Sequence, residues 1–255
     1  MDQVTEVVVR FYWPLVRVAG VLSVAPVIGS PQIPKRIRVA IAVVLTLSMY
    51  SLTGPVPDVD PVSISGVIVT INQFIIGLVM GFSLLIVFNI LTVAGESISS
   101  AMGLGFALMS DPSSGVQVPI VSQFYSILAT LLFLALDGHH ALISMMANSF
   151  IIIPVSTSLS PDGFWQLVEW SSVLFAGAIM LALPALVTML VINVIMGVMT
   201  RAAPQLNIFS IGFPITMTLG FIVILITLPG FAPGFEKLLH DGFEGTARFL
   251  KGLSP

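Results

Sequence analysis

No lysine or arginine occurs between Arg38 and Arg201. A stretch this long without a fixed positive charge cannot supply the surface of an ordinary water-soluble domain, in which roughly a quarter of residues are charged. Over the whole chain only 8% of residues are charged and 56% are hydrophobic, and the mean hydropathy is +1.08. These values exclude a soluble globular domain and point to a membrane protein. The same feature removes the usual orientation signal, because the positive-inside rule counts Lys and Arg in short loops.

Only short regions at either end carry cations. The first apolar stretch, about 7–28, contains Pro14 and Pro26 and is interrupted by Arg10 and Arg17. Asp2 and Glu6 stand where a secretory signal would be basic, so this first helix is expected to stay in the mature protein. A basic turn follows, Ser30 to Arg38, in which Lys35, Arg36 and Arg38 form the strongest topological anchor on the cytoplasmic or interfacial side. An acidic loop holding Asp58 and Asp60 then separates the stretch 39–52 from an uncharged run, Pro61 to Gly95. As one helix this run would be about 50 Å long at ~1.5 Å per residue, against a hydrocarbon core of roughly 30 Å. It must protrude, bend or pack mostly against protein. Asn72, Gln73 and Asn89 favour protein, since buried amides hold helices together, and Gly77 with Gly81 permits close helix approach.

Segment 96–123 is different in kind, rich in Gly, Ser and Pro, with Asp111-Pro112 as a turn signal. Irregular backbone at membrane depth is tolerated only inside protein or along an aqueous cavity, which makes it the leading functional candidate. Two short apolar stretches, 124–136 and 141–153, suggest one bent helix or a hairpin around Asp137-Gly138-His139-His140. A polar linker, 156–169, carries Trp165, with Trp170 just beyond, and both suit a membrane interface. Residues 173–199 are the plainest spanning candidate, and a compact turn, 201–214, leads to a last apolar stretch, 215–228. The tail 234–253 is amphipathic, with the character of an interfacial helix.

Most chemistries find no support. The chain has no cysteine, which removes disulfides and thiolate metal sites, and its net charge of −3 gives no footprint for nucleic acid. Neither a nucleophile elbow nor a phosphate-binding loop is present, so no enzymatic activity is expected. His139 and His140 are consecutive, which on a helix separates their directions by about 100°, and a polar helix end is preferred to a metal site. Glu96, Asp111, Asp137 and Glu169 admit a proton-coupled small-molecule transporter as an alternative, since intramembrane carboxylates are functional by default. The methionines number 12 and mostly suit core gaps. Met102 and Met109, inside the glycine-rich segment, suit a flexible constriction.

Four segments in order carry a specific resemblance. RAAPQLNIFSIGFP (Arg201–Pro214), APVIGSPQIPKRIRVAIA (Ala25–Ala42), GLGFALMSDPSSGVQVP (Gly103–Pro119) and FLALDGHHALISMMANSFIIIP (Phe133–Pro154) resemble the FliR family of flagellar type III export-gate subunits. The similarity runs from about residue 10 to 230. Virulence-type relatives more often have a lysine after the last proline of the first of these segments, where this chain has Ile215, so the flagellar branch is favoured over an equivalent virulence-system subunit. Pro31 and Gln32 stand where relatives often have basic residues.

The resemblance implies an all-α protein of helical hairpins and long bent helices, packed into a multi-subunit cone with FliP and FliQ instead of a standard multispan bundle. It divides the chain into a FliP-like half, about 1–155, and a FliQ-like half, about 156–255. It also implies a bacterial inner-membrane location in the flagellar basal body, FlhB-type and FlhA-type export proteins as neighbours, and unfolded flagellar subunits as cargo. No cofactor or metal is implied. The glycine-rich loop would help plug the channel. Gly103, Gly105 and Gly115 would supply backbone freedom, Met102, Phe106 and Met109 the apolar seal, and Asp111-Pro112 the turn, with Pro119 at the loop's end. In the signature turn, Pro204, Gly212 and Pro214 would shape a bend containing Gln205, Asn207 and Phe209, and Arg201 would pair with or cap it.

Overall fold

The structure is a computed structural model describing residues 3–54, 57, 59–104, 120–155, 157–202 and 212–254, with side chains described from Val9 onward. Every regular element among the described residues is helical: α1 (Gln3–Val24), α2 (Lys35–Met49), α3 (Ile64–Ala101), α4 (Ile120–Ala135), α5 (Gly138–Ile152), α6 (Asp162–Trp170), α7 (Val173–Ala202), α8 (Phe213–Thr227) and α9 (Phe231–Leu253). Short 3-10 turns follow α2 and α8. Three helical stretches, 64–101, 162–202 and 213–253, are long and apolar enough to cross a membrane, and α4 with α5 makes a fourth candidate as a broken pair. The all-α, membrane-type expectation therefore holds.

The chain divides into two compact units. One comprises residues 1–87, 133–172 and 239–255, and the other residues 88–132 and 173–238.

In the first unit α1 crosses α3 at glycines. Cβ atoms added at Gly20 would lie 2.6 Å from Phe74 O, and at Gly81 2.8 Å from Val21 O, while one at Gly77 would collide with Arg17 O. The two backbones touch without intervening side chains, so the Gly77–Gly81 pair seen in the sequence serves packing within one chain. Beside this crossing lies Arg17, only 1% exposed. Its Nε donates to Gln73 Oε1 at 2.8 Å, Nη1 to Ser149 Oγ at 3.1 Å and Nη2 to Ile153 O at 2.8 Å. The guanidinium also lies 4.2 Å from the centre of the Phe150 ring. Gln73 Nε2 continues the network to Val155 O at 3.2 Å. One side chain thus clasps α1, α3 and the C-terminal end of α5. Of the three amides expected to hold helices together, Gln73 does so; Asn72 and Asn89 are only half-buried.

Several boundaries differ from expectation. Lys35, Arg36 and Arg38 open α2 instead of sitting in a loop, because Pro34 occupies the residue before the helix, where its fixed φ is compatible with a start. Arg38 still ties the preceding turn, through Nη2 to Ser30 O at 2.8 Å. α3 runs as one helix of 38 residues, and 67% of its most apolar window is buried inside the chain. Protein contact therefore resolves its excess length. It continues through Glu96 to Ala101, and α4 begins at Ile120, so both ends of the segment 96–123 are helical. The linker after residue 155 contains α6, begun by Pro161-Asp162, a recognised start signal.

The tail departs furthest from a lipid-bound interfacial helix. In its first-unit portion, Phe249, Leu250 and Leu253 are buried. Thr246 Oγ1 and Ser83 Oγ share a hydrogen bond at 2.6 Å, and Ser160 N donates to Leu253 O at 2.9 Å. Added Cβ atoms at Gly163, 2.6 Å from Phe249 O, and at Gly242, 2.6 Å from Val87 Cγ2, would not fit. Trp170 packs edge-on against Phe249 at 5.5 Å. The apolar face of this amphipathic helix is thus spent on its own chain.

In the second unit α7 buries a narrow row, Ala178, Ala182, Ala185 and Met189, and leaves the rest of its apolar surface open, including Phe175, Met180, Leu190 and Val198. Small residues at helical spacing allow α7 to approach its neighbours closely. α8 packs on α7. Tyr125, Phe231, Phe235 and Phe88 form a continuous aromatic cluster with ring separations of 5.0, 6.5 and 5.7 Å.

Candidate functional site

The glycine-rich segment leaves α3 at its C-terminal end, where the last carbonyls of any helix lack internal partners. Here two other helices approach them. Asn193 Nδ2 on α7 donates to Ala101 O at 3.1 Å, and Thr216 Oγ1 on α8, which donates to Phe213 O at 3.0 Å, lies 3.5 Å from Met102 O. Gly103 has φ +81 and its N–H returns to Ser100 O at 3.1 Å. A left-handed glycine directly after a helix is the usual stop, since other residues bear a steric cost there. The chain is thus turned sharply at the first glycine of the segment.

Met102 is completely buried. Its side chain lies over Gly220 on α8, where an added Cβ would come within 2.5 Å of Met102 Cγ and 2.8 Å of Sδ. Beside it a cavity of about 410 Å³ is lined by Gly103, Asn193, Met196, Gly197, Phe213 and Thr216, among others. The cavity is mostly apolar, with the Asn193 and Thr216 groups as its few polar points. It opens next to the ends of both segments singled out in the sequence, residues 103–119 and 201–214.

Of the residues expected in the plug loop, the structure describes Met102 and Gly103. Gly105, Phe106, Met109, Asp111, Pro112, Gly115 and Pro119 lie outside the described residues. In the signature turn, Arg201 occupies the last turn of α7 and is exposed, with no side-chain partner among the described residues. Its charge complements the negative end of the helix dipole. Gly212 immediately precedes α8 and Pro214 is in its first turn, where a missing N–H costs nothing. Pro204, Gln205, Asn207 and Phe209 lie outside the described residues. Sequence reasoning missed Asn193 and Thr216 as the groups that finish α3. The signal was one amide among the few polar side chains of α7 and one of three threonines on α8, which by itself names no partner.

The carboxylates of the transporter alternative are not gathered into an interior relay. Glu96, Asp137 and Glu169 are each exposed, and Asp111 lies outside the described residues. The one group of three metal-capable side chains among the described residues is Asp137, His139 and His140.

Comparison with known proteins finds relatives along nearly the full chain. The family described as "Bacterial export proteins, family 1" matches residues 8–242. The flagellar biosynthetic protein FliR of Pectobacterium carotovorum subsp. carotovorum is 38% identical over 246 residues, covering 96% of this chain and 94% of that protein. FliR of Escherichia coli K12 is 34% identical, covering 95% and 93%, and FliR of Aquifex aeolicus is 31% identical, covering 99% of each. The chain belongs to the FliR family of bacterial export proteins.

Proposed function

We propose that this chain is a non-enzymatic, channel-forming subunit of the flagellar protein export gate, assembling with FliP- and FliQ-type subunits in the bacterial inner membrane at the flagellar basal body. Family membership along nearly the full length carries this reading. The surface of α7 supports it physically. A helix of 30 residues is about 45 Å long at ~1.5 Å per residue, and its uncovered apolar surface extends from Phe175 to Val198 and Met199. That exceeds a hydrocarbon core of roughly 30 Å, so part of the surface needs a protein partner.

In this reading the segment 103–119 closes the channel at rest. Gly103, Gly105 and Gly115 give it freedom, and Phe106 and Met109 form the seal. Met102, buried on Gly220, serves as its fixed root instead of a sealing residue. The signature turn, Arg201 to Pro214, brings α8 beside that root. Residues 1–155 act as the FliP-like half and 156–255 as the FliQ-like half. Unfolded flagellar subunits are the cargo, and FlhB-type and FlhA-type proteins are the neighbours.

The test is purification. Extracted from native membranes through an affinity tag, the chain is expected to co-elute with stoichiometric FliP- and FliQ-type partners and to be degraded when they are absent. A stable lone monomer that transports a small solute in vesicles would instead establish the transporter reading.

A further inference from the structure

The turn between α4 and α5 gathers ligand chemistry that the export role leaves unused. We infer that Asp137, His139 and His140 form a binding site for a borderline divalent transition-metal ion, best suited to Zn²⁺. On an ideal helix, consecutive histidines diverge, and that argument weighed against a site. The structure removes it. The two imidazoles lie side by side at the start of α5, 4.1 Å between ring centres and tilted by 38°. Each of the three residues offers one ligand atom, and these atoms all lie within 4.8 Å of one another.

Asp137 Oδ1 and His140 Nδ1 are 3.1 Å apart, close to the roughly 3.3 Å edge of a zinc tetrahedron with ligand bonds of about 2.0–2.1 Å. The third ligand atom lies within 4.8 Å of the other two. The Asp137 carboxylate pairs with His140 alone among the described residues, and a bound cation would take the place of that shared contact. Asp137 precedes α5 in the left-handed region, φ 55 and ψ 26, and its carboxylate makes no capping hydrogen bond to the helix. Among the described residues, the buried Nδ1 of His139 has no hydrogen-bond partner. Coordination through that nitrogen would give it the partner that the described residues do not supply. Two imidazoles and one carboxylate with solvent on the open side match the donor preference of Zn²⁺, and of Co²⁺ or Ni²⁺ as probes, over Mg²⁺ or Ca²⁺.

The experiment uses the full chain extracted in detergent through a tag without histidines, titrated with Co²⁺ and followed by visible absorption, then displaced by Zn²⁺. The expected result is one tightly held equivalent per chain. Asp137→Asn, His139→Gln and His140→Gln each remove a direct ligand and should weaken binding by more than the roughly 10–100-fold that loss of an outer-shell partner costs, and the triple variant should abolish it while eluting at the same size. Absence of a Co²⁺ spectrum at saturating metal, or an unchanged titration in a normally eluting triple variant, would overturn the site. Failure here leaves the export-gate reading untouched, because its purification test does not involve these residues.

Discussion

Replacing Gly77 by valine is expected to leave no detectable chain in the membrane, whereas Gly197→Ala leaves its level unchanged or slightly raised. A Cβ at Gly77 would collide with Arg17 O and lie 2.9 Å from both Gly20 Cα and Val21 N. These are backbone atoms of a packed helix, so no rotamer change relieves the clash. Overpacking against side chains costs roughly 1–3 kcal/mol. Against backbone the helices must separate, and a loss above about 4 kcal/mol consumes much of a stability that is typically ~5–15 kcal/mol. Gly197 is the control within a helix, with nothing within 4 Å of an added Cβ. There alanine gains about 0.5–1 kcal/mol by restricting the unfolded chain. Immunoblots of membrane fractions read both variants. Normal accumulation of Gly77→Val would mean that α1 and α3 do not cross in contact.

Arg17→Leu should lower the unfolding temperature of the detergent-extracted protein sharply, and Arg17→Lys should do nearly the same. Losing the guanidinium strands Gln73 Oε1 and Ile153 O in a buried site, at about 1–3 kcal/mol for each orphaned group. The gain from no longer burying a charge offsets part of this, leaving a net loss of about 3 kcal/mol. A lysine ammonium cannot span the three acceptors on α3 and the end of α5 as the planar fork does. The double variant Arg17→Leu with Gln73→Leu should recover part of the loss, because apolar replacement of both partners leaves fewer unmet groups. Additive losses in this cycle would mean that the two side chains do not interact.

What the sequence revealed follows the physics of each signal. Helix identity was readable because apolar runs of these lengths admit little else in a membrane, and α3 and α7 were found on that ground. Gly77, Gly81 and Gln73 were recognised as packing residues. Their partners, Gly20 and Arg17, lie more than fifty positions away, a distance over which local pattern carries no pairing information. The tail was correctly read as amphipathic, but an apolar helix face looks the same whether lipid or protein covers it. The close approaches at Gly163 and Gly242 decide for protein. The glycine-rich segment is visible in composition, while its left-handed start at Gly103 and the approach of Asn193 and Thr216 depend on tertiary placement. Backbone direction alone sets His139 and His140 apart, yet their ring centres lie 4.1 Å from one another.

The central claim is that exported polypeptide passes along the segment that begins at Gly103. It is tested most directly by placing a photoreactive benzophenone amino acid at Met109 in assembled membranes while an export substrate is stalled by a folded domain fused to it. The account predicts a substrate crosslink at Met109 and none from Trp165, the exposed control on α6. Stalled substrate with no crosslink from Met109, or from neighbouring positions in 103–119, would contradict it.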